Sequence, residues 1–131
     1  VVVDTMVVAY ALLGQADLHD ESIRLVRNAD DLWAPESLRA ELVNVLWLWV
    51  RHRGVEPADA REALRDVDSM LTGFVPIADL WEAALELALS RDHSPYDTLF
   101  VALAMARATK LVTADEKLLR RFPEWTRPLR S

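Results

Sequence analysis

The chain has 131 residues, 52% of them hydrophobic, and a formal net charge of −6. That is enough apolar material for one domain with a real core, spanning residues 1–131, and it excludes a disordered chain. Cysteine is absent, which removes disulfides, thiolate zinc sites and a cysteine nucleophile, and fits a reducing compartment.

The uninterrupted apolar stretches fall short of a membrane span, and no basic region with a signal-type apolar segment opens the chain. A soluble, cytoplasmic protein with no membrane partner is the expectation. The acidic balance argues against a nucleic-acid partner. Neutralising four of the acids would bring the formal charge to −2, and bound divalent cations would reverse the sign locally. Net charge therefore does not decide the partner.

Val1, Val2 and Val3 form a β-branched run that ends at Asp4. They predict a buried strand, then a helix over residues 6–13, capped by Asp4 or Thr5 and closed by Gly14. Asp20 opens a second helix. Leu32, Trp33 and Ala34 predict a short strand stopped by Pro35. A long helix is expected over residues 36–53, ended by Gly54. Its middle, residues 42–50, is apolar nearly all round except for Asn44, which predicts cover on two sides.

Pro57 starts the next helix, with Ala63, Leu64 and Val67 among its inner residues, and Gly73 is expected to end it. Residues 74–77 read as a strand near an edge, because Pro76 cannot donate to a central ladder. Asp79 caps a helix over 80–90, and Ser94 caps one over 95–109. Residues 110–113 predict a strand, 115–122 a short helix, and 126–129 a last weak strand. Short apolar strands alternating with helices imply an α/β sandwich with a mainly parallel sheet. The functional crevice of such a sheet lies outside the carboxyl ends of its strands.

Four acids stand where that crevice is expected. Asp4 follows the first strand, and Asp115 comes two residues after the strand ending at Thr113. Asp97 lies in the first turn of the helix begun by Ser94 and Pro95, ahead of the apolar run 99–106. Glu41 lies near the start of the long helix, beside Leu38, Ser37, Asn44 and Val45. Four carboxylates sharing one crevice repel one another and raise their pKa values, a conflict that a hard divalent cation removes. Each acid also has a structural reading. Asp4 fits a plain N-cap, Ser94 and Asp97 resemble a capping box, and Thr113 with Glu116 forms a capping-box pattern that would leave Asp115 a first-turn acid.

Together these residues resemble the PIN-domain family and, within it, the VapC-type toxins of toxin–antitoxin pairs. The anchors are Val2, Val3, Asp4 and Thr5; the run from Glu41 to Leu46; the run from Tyr96 to Ala104; and the run from Leu111 to Leu118. The resemblance implies a PIN-like α/β/α sandwich and a Mg²⁺- or Mn²⁺-dependent endoribonuclease, which hydrolyses RNA phosphodiesters with a metal-activated water. The family's ligands carry over to Asp4, Glu41, Asp97 and Asp115, and its supporting hydroxyl to Thr113. Met6 stands where members usually carry a small hydroxyl residue, which removes one polar group near the cation. Asn44, one turn beyond Glu41, could orient a ligand or serve in ordinary buried hydrogen bonding. The resemblance also implies a cognate antitoxin, docked through an amphipathic helix, and a homodimer.

Other chemistries fit less well. Gly14, Gly54 and Gly73 are too scattered for a phosphate-cradling loop. His19, His52 and His93 show no zinc spacing, and His93 reads as a surface or capping residue, with support of a neighbouring ligand the less favoured alternative. A phosphoaspartate-type phosphatase or phosphoacceptor domain would want further acids near Asp4, where Met6 stands. A catalytically inactive module of the same fold is the third reading. The five tryptophans are expected mostly in the core, with Trp47 or Trp49 free to enter a protein interface. Among the basic residues, Lys117, Arg120 and Arg121 are the ones placed nearest an RNA backbone, against the alternative of a solvated face.

Overall fold

Val2–Val3 forms β1, completely buried, and the other strands are laid out around it. The structure is a computed structural model that describes residues 1–14 and 18–130. β2 is Trp33–Pro35, β3 Gly73–Val75, β4 Leu111–Thr113 and β5 Thr126–Pro128. Among the described residues they form one sheet in the order β3-β2-β1-β4-β5, with every neighbouring pair parallel. The weak last strand is therefore a real member of the sheet. β3 lies at an edge, as Pro76 predicts, although the strand stops at Val75 and Ile77–Asp79 turns as a 3₁₀ helix.

The helices are α1 (Thr5–Leu13), α2 (His19–Asn28), α3 (Leu38–His52), α4 (Pro57–Met70), α5 (Trp81–Arg91), α6 (Pro95–Ala106) and α7 (Glu116–Arg121). The connections from β1 to β2 to β3 run one way across the sheet and carry α1 to α4. The return through β4 to β5 runs the other way and carries α5 to α7. Right-handed crossovers in opposite directions put the two sets on opposite faces, giving the α/β/α layering. No helix of the described residues is long and apolar enough to cross a membrane.

α6 is the most enclosed helix. Its residues 98–104 are buried without a break, against β1, β2 and β4 on one side and α5 on the other. α1 follows the same logic on the opposite face, where Val7, Val8 and Ala9 are buried. An apolar surface all round a helix is stable only when both sides are covered.

Several local expectations need correction. Pro35 is the last residue of β2 rather than its stop. The N–H of Trp33 goes to Val1 O. Pro35, two residues on, points the same way, beyond the end of the pairing with β1, so its missing N–H costs no ladder bond. Gly73 begins β3 instead of ending α4, which stops at Met70. A Cβ there would stand 2.7 Å from the Trp33 ring, so the glycine lets β3 lie against that indole. Residues 36 and 37 stay outside α3. α3 is also not covered on two sides. Leu42, Leu46 and Trp49 are buried, but Val43, Trp47 and Leu48 are exposed. Of the five tryptophans, Trp49 is buried and Trp33 and Trp125 pack against the core, while Trp47 and Trp81 are exposed. α2 opens at His19 rather than at Asp20, with Leu18 at the N-cap position and no side-chain cap bond.

Candidate metal centre

The chain order reverses between β1 and β4, the topological switch point at which ligands of open parallel sheets bind. Asp4 leaves the end of β1 there, and Asp115 follows the end of β4. A cleft of about 550 Å³ opens at this point, and its walls include Asp4, Glu41, Asn44, Asp97 and Asp115. The four acids picked out by placement thus share one cavity. Met6 also lines it, with a thioether where a hydroxyl would add a polar group.

Each carboxylate is held differently. Asp4 occupies the N-cap position of α1, yet its side chain makes no cap bond. Thr113 Oγ1 instead donates to Asp4 Oδ2 at 2.6 Å, and the same hydroxyl accepts from the Asp115 N–H at 3.0 Å. One buried threonine at the end of β4 therefore ties the two acids of the switch point together. Asp115, and not Thr113, caps α7, with Oδ1 accepting from the N–H groups of Lys117 and Leu118. The capping box of Thr113 with Glu116 does not form, because Thr113 belongs to the strand.

Ser94 makes no side-chain cap bond on α6. Asp97 is gripped by His93, whose Nε2–H donates to Asp97 Oδ2 at 2.8 Å. His93 is buried, edge-on to Phe122 at 5.4 Å between ring centroids. It is neither a surface residue nor a cap. The less favoured sequence reading, support for a neighbouring ligand, is the one the geometry fits; helical spacing gives it little weight because His93 precedes the helix.

Glu41 is held least. Thr5 Oγ1 donates to its Oε1 across a long 3.4 Å, and Oε2 is buried with no hydrogen-bond partner. Burial first, and then the negative charges of Asp4 and Asp97, push the Glu41 carboxyl up from 4.5 to about 7. Asp4 is raised too, mainly by burial, then by Asp97 and Asp115, against the lowering effect of the Thr113 bond. Asn44 is exposed in the cleft wall, which removes the buried hydrogen-bonding reading.

The donor set suits a hard divalent cation, being all carboxylate oxygen with one buried oxygen left unpaired. As the side chains stand, no three acids among the described residues close on a common point. Three of the four are held by partners within the chain, Asp4 by Thr113, Asp97 by His93 and Asp115 by the start of α7. Lys117, Arg120 and Arg121 lie outside the cleft wall. Arg121 is committed elsewhere, its Nη1 donating to the carbonyls of Arg91 and Asp92 at 2.6 and 3.0 Å.

Comparison with known proteins agrees with the fold. The chain is 28% identical over 129 residues to Ribonuclease VapC3 of Pyrobaculum aerophilum, covering 97% of this chain and 98% of that protein. Its fold matches a chain of VapBC2 from Rickettsia felis, solved bound to a DNA fragment from their promoter, with a TM-score of 0.66. Identity there is 16%, over 97% of this chain and 96% of that one. FitAcB from Neisseria gonorrhoeae matches with a TM-score of 0.66 and 14% identity, over 95% and 94% of the two chains. The PIN domain family matches residues 1–124, and this chain belongs to that family.

Proposed function

We propose that this chain is a Mg²⁺- or Mn²⁺-dependent endoribonuclease, acting in the cytoplasm as the toxin of a toxin–antitoxin pair. The observation that carries this reading is the meeting of Asp4, Glu41, Asp97 and Asp115 in one cleft at the switch point. The likeness to a relative named as a ribonuclease of the VapC type supports it. These four acids would hold the cation, which when bound activates a water and offsets charge on the phosphate under attack. Thr113 fixes Asp4 and the backbone of Asp115 relative to each other. His93 orients Asp97. Asn44 presents an amide to the same cavity, where it can bind water or a phosphate oxygen.

The chain is read as one domain with two apolar surfaces for protein partners. One lies between α3 and α4, around Val43, Trp47 and Leu64. The other is the α5 stripe of Trp81, Leu85 and Leu89, spaced at four residues and exposed at 61%, 52% and 70%. A cognate antitoxin helix and a second copy of the chain are the occupants expected of a toxin of this kind.

The test is cleavage of RNA by the purified chain with Mn²⁺, alongside Asp97→Asn. Loss of a ligand exceeds the roughly 10–100-fold cost of losing an outer-shell partner. Asp97→Asn is therefore expected to lose at least about 100-fold in rate, and its toxicity on expression, while still melting cooperatively. The reading fails if the wild-type chain cuts no RNA with Mn²⁺ and Asp97→Asn stays as toxic as wild type. Calorimetric titration with Mn²⁺ separates an enzyme from an inactive module, which would take up no cation.

A further inference from the structure

The acidic cleft does not end at Asp115. Ala114 is shared between its wall and that of a neighbouring depression of about 370 Å³, which runs over the ends of β4 and β5 at Thr113 and Pro128. That depression shares Leu129 and Arg130 with a third, of about 520 Å³, walled by Arg24, Asn28, Arg127 and Arg130. Shared residues link the three into a series from the carboxyl ends of β1 and β4 to the space between α2 and β5. It leads from four carboxylates to three guanidinium groups.

Among the described residues of its wall, the far end is positive on balance. Glu21 accepts from Arg130 at 3.2 Å and lies 3.9 Å from Arg24, so one carboxylate stands against three arginines. Arg24 and Arg130 remain 65% and 58% exposed. Arg127 is exposed on edge strand β5, with no carboxylate partner among the described residues. Glu116, between the two ends, is the one further acid among the described residues of the walls. β5 lies two strands from β1, about 10 Å away at the usual spacing. A nucleic-acid backbone with one phosphate at the acids reaches the arginines within a few nucleotides.

A chain of charge −6 with an acidic cleft repels a polyanion, so RNA needs a local cationic hold. Planar guanidinium forks suit phosphate oxygens, and exposed ones keep their counterion-release gain. We propose that Arg24, Arg127 and Arg130 form a backbone subsite that grips single-stranded RNA on one side of the bond to be cut. This inference rests on the ribonuclease reading. It moves the RNA contact from α7, where Lys117, Arg120 and Arg121 wall none of the three depressions, to α2 and β5.

The experiment compares wild type, Arg24→Ala/Arg127→Ala and Lys117→Ala/Arg120→Ala, all as full chains. All four replaced side chains are exposed, and unchanged melting curves serve as the folding check. Binding of a labelled single-stranded RNA of about 15 nucleotides is measured in Ca²⁺ across a salt series. Each lost phosphate contact takes about 0.7 from the slope of log K against log salt. The Arg24/Arg127 variant should therefore lose about 1.4 from that slope and bind about tenfold more weakly. Its KM for a long RNA should rise, while kcat on an oligonucleotide too short to leave the acidic cleft stays at the wild-type value. If wild type cuts RNA and this variant matches it in affinity and slope, or if the loss falls on the α7 variant instead, the subsite is overturned alone. If wild type neither binds nor cuts RNA, the ribonuclease reading falls and the subsite with it.

Discussion

α3 and α6 look alike in sequence. Each has an acid in its first turn and an apolar run behind it, yet they sit in the molecule in opposite ways. In α6 the run is buried all round, and Asp97 is locked by a buried histidine. In α3 one stripe of Leu42, Leu46 and Trp49 is buried, with Trp49 stacked on Tyr10 at 5.8 Å, while Val43 and Trp47 face outward. Glu41 there has one long bond and an unpaired oxygen. Apolar content alone does not say how many sides of a helix are covered. The enclosed helix is a fixed mount for its acid, whereas the half-open one offers a surface and leaves its acid to be satisfied by something else.

The sharpest way to break this contrast is to truncate matched positions. Leu103 on α6 is 1% exposed and Trp47 on α3 is 53% exposed. Leu103→Ala should cost about 2–5 kcal/mol, since it empties a site that cannot collapse fully. Trp47→Ala should stay within about 0.5 kcal/mol in the isolated chain, as surface changes do. Chemical denaturation of the two variants reads this directly. A large cost at Trp47 would mean that α3 is covered after all.

The grip on Asp97 is the next point of attack. His93→Gln keeps a donor near Oδ2, whereas His93→Ala removes it and leaves a hole beside Phe122. Outer-shell partners of metal ligands are worth about 10–100-fold in cation affinity or activity. His93→Ala should lose about that much in Mn²⁺ affinity, and His93→Gln should recover part of it at equal thermal stability. Equal affinity in all three chains would mean that packing alone orients Asp97.

How far these features could be read beforehand follows from what carries them. The layer order, the parallel sheet and the meeting of the four acids come from strand–helix alternation and from acids at strand ends, and both are patterns along the chain. What escaped depends on neighbours that are distant in sequence. Gly73 is explained by the Trp33 ring, and Pro35 by where β1 ends. The burial of His93 is explained by its packing against Phe122. The open side of α3 depends on which helices pack beside it. Asp115 lay between two local capping rules, and the Thr113 hydroxyl, drawn across to Asp4, decided between them.

The smallest expected effect concerns Glu41. Its carboxyl is pushed from 4.5 to about 7, so between those values the folded chain binds more protons than the unfolded one. The derivative of unfolding free energy with pH is then negative. The contribution is fully present below 4.5 and is lost as pH rises through about 7. Asp4, also raised, acts with the same sign. In EDTA the melting temperature should fall across this window, and since Glu41 is partly exposed the change should be at most about 3 °C. Glu41→Gln should leave only the slope due to Asp4. Saturating Mg²⁺ should flatten the wild-type curve, because a cation replaces the proton as the neutralising partner. A wild-type slope retained by Glu41→Gln would show that Glu41 finds relief within the chain. The half-open helix would then hold its acid as firmly as the enclosed one does.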